Sequence, residues 1–169
     1  MNEVCIACRS PKADTPCGIC ESPICRNCRI FLDKDAFLFQ AELEADLKHS
    51  FYCPNCYDEK VAPPLAQYNQ DVETARGVFV YFTTAKRKVP TLKKSLIKVK
   101  VENSPDRDQT ILKLAFQAVK QGFNAIIETE VVSAKVRNEG YQKSAWSGKA
   151  IPVMVDAVRM QLEFERTEF

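Results

Sequence analysis

The chain has 169 residues, 46% of them hydrophobic and 27% charged, with a formal charge of +2, eight cysteines and a single histidine. That length suits one or two small domains. No apolar run reaches the ~18 residues that span a membrane, and one histidine with five glycines leaves little for acid–base catalysis or a glycine-rich phosphate loop.

Met1 to Cys5 carries neither a basic nor an apolar leader stretch, so a soluble, reducing, cytoplasmic setting is expected. All eight cysteines then fall in four C-x2-C pairs: Cys5/Cys8, Cys17/Cys20, Cys25/Cys28 and Cys53/Cys56. Each pair can grip a metal with two thiolates, so four pairs supply two complete four-cysteine sites and predict two structural zinc ions per chain. No ligand position remains for water, which argues against catalytic zinc. Disulfides would need an oxidising compartment. His49, four residues before Cys53, is expected to be a surface or supporting residue, because the cysteine set is already complete. About 60 residues make a poor core alone, so the metal must supply much of this module's folding energy.

Metal also changes the charge. Eight thiolates against two dipositive ions lower the formal +2 by four, to about −2. The charge is divided unevenly: residues 1–60 hold 7 Lys/Arg and 10 Asp/Glu, whereas residues 61–169 hold 17 and 12. The halves should therefore attract one another, or they offer partners faces of opposite sign.

Within the metal module, Asp35 to Lys48 has helical composition, and Phe39, Leu43 and Leu47 recur every fourth residue, which predicts a short amphipathic helix. A second short helix is expected over Tyr57–Lys60. Val61-Ala62-Pro63-Pro64 then predicts a stiff extended connector, because paired prolines disfavour helix. The expected division is a metal module at 1–60, a linker at 61–75 and a second domain at 76–169.

In that second domain, Gly77–Thr83 reads as a strand. Ile97, Val99 and Val101 alternate with Lys98, Lys100 and Glu102, as in a half-buried strand. Ser104-Pro105 suggests a cap and first turn for a helix carrying Ile111, Leu114, Ala115, Ala118 and Val119, and Gly122 suits the residue just past its end. Asn124–Val136 predicts a strand, Asn138-Glu139-Gly140 a turn, and Ala145–Val155 another strand, with Pro152 suggesting an edge or a bulge. Alternation of Val158, Met160, Leu162 and Phe164 with polar residues predicts a final strand. The expected class is α+β, a ββαββ layer with one helix on a mostly antiparallel sheet and one more strand as an option.

Arg76 to Lys100 contains eight Lys/Arg and no Asp/Glu. Arg76, Lys86, Arg87, Lys88, Lys93 and Lys94 are candidates for holding an anionic partner, a nucleic-acid backbone or an anionic membrane surface, and Phe79, Tyr81 and Phe82 lie near enough to stack on bases. The competing explanations are a lysine-protected sheet edge and docking against the acidic metal module. Trp146 beside Ser147-Gly148 reads as core or interface.

The spacing C-x2-C-x8-C-x2-C-x4-C-x2-C-x24-C-x2-C resembles the FYVE/PHD group of treble-clef, cross-brace fingers. That resemblance covers residues 5–60 and implies one metal on Cys5, Cys8, Cys25 and Cys28 and the other on Cys17, Cys20, Cys53 and Cys56. Consecutive ribbons, first pair with second and third with fourth, are also sterically allowed. Ala13-Asp14-Thr15-Pro16 precedes Cys17 where the FYVE lipid signature has basic and histidine residues, so phosphoinositide recognition is not expected. PHD fingers have histidine where Cys25 stands, although Tyr52 matches their aromatic before the last pair. RING ubiquitin ligases are cross-braced too. Pro54 matches their C-P-x-C form, but the gap from Cys20 to Cys25 is one residue longer than theirs.

Residues 111–153, with Gly122-Phe123-Asn124-Ala125-Ile126-Ile127 and Ser147-Gly148-Lys149-Ala150-Ile151, are similar to the YbjQ-like family of small bacterial proteins. The resemblance implies a dodecin-like unit that assembles into rings. No Cys or His follows Cys56, so metal binding is not carried to this half. Together these readings point to a non-enzymatic, zinc-binding adaptor or scaffold, oligomeric through its C-terminal domain and recruiting protein partners. The alternatives are a RING-like ubiquitin-transfer factor, with Ile6, Ile19 and Pro54 as its apolar groove, and a nucleic-acid or anionic-surface binder.

Overall fold

The computed structural model describes residues 4–85, 88–138 and 140–167. It is a mixed α/β chain of short sheets and few helices, dividing into two compact units, Met1–Gln70 and Asp71–Phe169.

The first unit is built on turns. Strands β1 (Ala13–Pro16) and β2 (Pro23–Cys25) pair antiparallel around the second C-x2-C turn, and β3 (Ile30–Phe31) pairs antiparallel with β4 (Phe51–Tyr52). Helix α1 (Pro54–Cys56) begins inside the last cysteine pair, with Cys53 as its cap and Pro54 in the first turn. Its core is Ile24, Leu32, Phe37, Leu47, Tyr52, Val61 and Tyr68, all buried.

The helix expected over residues 35–48 does not form. Successive i to i+3 turns run from Asp33 to Gln40, and only Ala45–Leu47 makes a single 3-10 turn. The backbone groups a helix would pair are taken elsewhere. Phe39 N–H donates to the Tyr68 hydroxyl at 3.1 Å, His49 N–H donates to the Tyr52 hydroxyl, and that hydroxyl donates to Asp46 C=O at 2.9 Å. Tertiary hydrogen bonds thus override a local propensity that is weak by itself.

The extended connector expected at Val61-Ala62-Pro63-Pro64, and the linker expected at 61–75, are also helical. The expected helical stretch after Cys56 is present, but it continues. A π turn over Tyr57–Val61 follows α1, and α2 runs Ala62–Arg76 straight through Pro63 and Pro64. Proline lacks an N–H, and its ring clashes with the carbonyl four residues back. In the π turn, Ala62 N–H reaches Tyr57 C=O five residues back, and that wider spacing is where the two rings find room.

The second unit is a five-stranded sheet. Its strands are β5 (Phe79–Phe82), β6 (Thr91–Lys94), β7 (Val99–Ser104), β8 (Ala125–Asn138) and β9 (Tyr141–Val155). Central β9 pairs with β8 along one edge, while β6 and β7 share its other edge; all three pairings are antiparallel, and β5 pairs parallel with β8. Three strands precede the helix instead of two, because β6 is exposed at every position and so carries no readable alternation. Pro152 lies in β9, which is not an edge. The irregularity falls on its neighbours: β7 pairing begins at Val99↔Ala150 and β6 pairing ends at Lys94↔Val153, leaving Pro152 in the gap.

Helix α3 (Arg107–Lys120) packs on one sheet face, where Val99, Val101, Leu114, Ala118, Ile126 and Ala150 form a core. It is capped by Asp106, whose carboxylate accepts from Gln109 N–H at 2.7 Å, and not by Ser104. At its end Gly122 takes φ +80°, Gly122 N–H bonds Val119 C=O, and Phe123 N–H bonds Ala118 C=O. This is the Schellman closure that favours glycine at that position.

The segment from Ala157 to Thr167 is a helix, α4, and not the expected strand. Asp156 accepts from Arg159 N–H with its carboxylate and from Met160 N–H with its carbonyl, and this cap starts the helix. Met160 is buried with Ala125, Ile151, Val153 and Val155 on the sheet face opposite α3. Val158 and Leu162 are exposed.

Candidate metal centres

The first two cysteine turns share one local design. In each, the first cysteine's N–H bonds the carbonyl of the serine five residues on (Cys5 to Ser10, Cys17 to Ser22), and its carbonyl accepts from the residue four on (Arg9, Glu21). Arg9 and Glu21 both adopt left-handed backbone, φ 62° and 57°. The sequence repeats accordingly, C-I-A-C-R-S and C-G-I-C-E-S. Left-handed φ costs a residue with a side chain about 1–2 kcal/mol, so the two turns are held against strain. The last pair is positioned differently, with Cys56 N–H donating to Cys53 Sγ at 3.4 Å at the start of α1.

These turns bring the thiols into two groups. Cys5, Cys8, Cys25 and Cys28 form one, and Cys17, Cys20, Cys53 and Cys56 the other, with the ligand atoms of each group within 4.8 Å of one another. Sulfur pairs approach to 3.6 Å (Cys8 and Cys25) and 3.9 Å (Cys20 and Cys53). A tetrahedron with metal–sulfur bonds of about 2.3 Å has edges of about 3.8 Å. The donor set and its spacing therefore fit a dipositive, thiophilic ion at each group. Burial alternates within both: Cys5, Cys25, Cys17 and Cys53 are buried, Cys28 and Cys56 half-buried, Cys8 and Cys20 exposed.

The thiols of each group are electrostatically unequal. The backbone N–H of Cys25 holds Cys5 down at about 6, while a shared hydrogen bond with Cys8 pushes Cys28 up to about 12. In the other group the Ser22 hydroxyl holds Cys20 down at about 6, while burial raises Cys53 and Cys56. Four thiolates cannot crowd together unaided; a bound cation supplies the charge that deprotonates all of them.

His49 stands outside both groups. Its ring lies edge-on to Tyr52, centroids 6.3 Å apart, and packs against Gly18, where an added Cβ would collide with it. Arg29 lies over the Phe51 ring at 4.8 Å and donates to Thr15. Of the three residues considered for an apolar groove, Ile6 is exposed, whereas Ile19 and Pro54 are half-buried.

The basic candidates are scattered. Arg76 in the last turn of α2 pairs with Glu73 at 2.9 Å, and Lys94 pairs with Glu128 at 3.4 Å. Lys93 lies over the Phe123 ring at 5.9 Å, and Lys88 is exposed. Lys86 and Arg87 lie outside the described residues, as does Glu139 of the expected turn. Phe79 and Tyr81 pack on the α4-side core, and Arg107 lies over the Phe82 ring at 5.0 Å. Sequence reasoning missed Leu96 and placed Ile97 on the buried face of a strand; β7 begins only at Val99, and both Leu96 and Ile97 are exposed.

No family model matches the chain, and no curated protein matches it. Among solved structures it is similar to a protein of unknown function from Pediococcus pentosaceus described as belonging to the DUF74 family, at 14% identity. The match covers 47% of this chain and 99% of that one, with a TM-score of 0.32. A likeness of that size carries no inference about fold or function.

Proposed function

We propose that this chain is a non-enzymatic zinc-binding scaffold. Its eight cysteines hold two structural zinc ions in a treble-clef, cross-brace arrangement, its metal module presents a protein-interaction surface, and its second unit multimerises that surface. The reading rests on the two complete four-thiol groups. Each has the full tetrahedral complement, which leaves no position for substrate water and assigns the metal to folding.

Multimerisation draws support from the hairpin of β8 and β9. β5 pairs with β8 only as far as Thr129, and β7 with β9 only as far as Trp146. Beyond those points the ribbon continues to the pairing of Asn138 with Tyr141, and it exposes Val132 and Val136. A two-stranded ribbon of this kind is marginal alone and gains from further pairing. Copies held in a closed assembly would multiply the avidity of the metal module for its partner.

Native mass spectrometry on protein purified without added metal tests both halves. Two zinc ions per chain in a closed oligomer are expected. A metal-free chain would overturn the zinc assignment, and a zinc-loaded monomer the multimeric one. The RING-like alternative retains one favourable observation, the exposure of Ile6 beside Cys5; ubiquitin transfer that survives Ile19→Arg would remove it.

A further inference from the structure

Strands β6 and β7 lie end to end on one edge of β9, and between them the chain leaves the sheet. Lys94 is registered with Val153 and Val99 with Ala150, so four residues, 95–98, face only two, 151–152. Pro152 is the reason: it has no N–H to offer a neighbouring strand, although its carbonyl still accepts from Ser95 N–H at 2.9 Å. The excess chain forms a protruding loop.

The loop is fixed in that form. Ser95 Oγ accepts from Ile97 N–H at 3.1 Å, lies 3.0 Å from Ile97 C=O and 3.2 Å from Gln121 Oε1. With its backbone pinned, Leu96 is fully exposed (102%) and Ile97 is 70% exposed. Leu92, the extra residue where the β6 register shifts between Thr91 and Lys93, is 71% exposed. Lys88, Lys93, Lys94 and Lys98, all exposed, lie before and after these aliphatic side chains in a segment without Asp or Glu, Lys94 reaching Glu128 at 3.4 Å and Lys93 lying over the Phe123 ring.

Lysines on an edge strand guard against aggregation, which accounts for Lys93 and Lys94. Guarding does not account for two aliphatic side chains held outward on a pinned loop. Base stacking is also poorly served: the loop has no aromatic residue, Phe79 and Tyr81 are packed in the core, and Phe82 lies under Arg107. Exposed aliphatic side chains with exposed lysines before and after them in the chain suit a different partner, an anionic bilayer surface, whose headgroups attract lysine and whose acyl boundary accepts Leu and Ile.

We propose that the Leu96–Ile97 loop docks this protein on an anionic lipid surface, with Leu96 and Ile97 entering the headgroup–acyl boundary and the lysines before and after them facing the lipid charges. The proposal uses neither the cysteine groups nor the assembly state.

Cosedimentation of the full zinc-loaded chain with phosphatidylcholine vesicles, with and without phosphatidylserine, tests it. Binding should require phosphatidylserine and weaken as salt rises. The double variant Leu96→Ser/Ile97→Ser should partition at least about tenfold less, and Lys98→Glu several-fold less. Both changes fall on exposed side chains, and circular dichroism with native mass would verify fold and assembly. Equal binding to neutral vesicles, or parental binding by the double variant, would overturn the proposal. So would tighter binding to a single-stranded oligonucleotide, which marks a nucleic-acid surface, or a changed native mass in the double variant, which marks a contact between copies.

Discussion

The two units solve the same problem with different materials. The first has strands of two to four residues and loops crossed by tyrosine hydroxyls, and four of its eight cysteines are buried beside its few apolar side chains. The second has a five-stranded sheet with apolar clusters on both faces, one under α3 and one under α4. Small domains lack the volume to be stabilised by burial alone and add a staple. The comparison teaches that removing metal and removing a core methyl group should harm different halves of one chain.

The largest expected effect comes from Cys25→Ser in the intact protein. A structural zinc contributes about 10–16 kcal/mol, comparable with the whole stability of a domain. Hydrogen exchange should show residues 4–60 losing protection while β8 and β9 keep theirs; loss of protection in both would break the contrast. Next is Leu114→Ala, which empties a fully buried site and should cost about 2–5 kcal/mol. Denaturant titration should place that loss in the sheet unit while metal content stays unchanged. Smaller again is Tyr52→Phe, which removes the hydroxyl joining Asp46 C=O to His49 N–H and should cost about 1–3 kcal/mol. It sharpens the contrast if only the first unit loosens, which thermal melts followed by zinc release would report.

The readable features were those governed by local chemistry. Alternation at residues 99–102 marks β7, where Val99 and Val101 are buried and Lys100 and Glu102 exposed, whereas Ile97, expected on the same buried face, stands exposed outside the strand; Gly122 marks the end of α3 because its φ is positive. The cysteine spacing left two groupings open, and the fold puts the first pair with the third and the second with the fourth. The unreadable features depended on distant partners. Phe39, Leu43 and Leu47 carry a helical period, yet tyrosine hydroxyls claim the nearby backbone. Val158 to Phe164 carries a strand period, yet the Asp156 cap starts a helix. Pro63 and Pro64 argue against helix until the π turn before them is known. A strand exposed at every position, β6, has no period to find.

The order in which the cysteine pairs are used has a topological result. The chain between Cys8 and Cys25 carries Cys17 and Cys20, and the chain between Cys20 and Cys53 carries Cys25 and Cys28. Each centre's closure therefore encloses half of the other centre's ligands. Opening either one releases the segment that holds its neighbour together, which couples the two as a single thermodynamic unit. A chelator titration should then follow one steep transition from two ions to none, with the one-ion species scarcely populated.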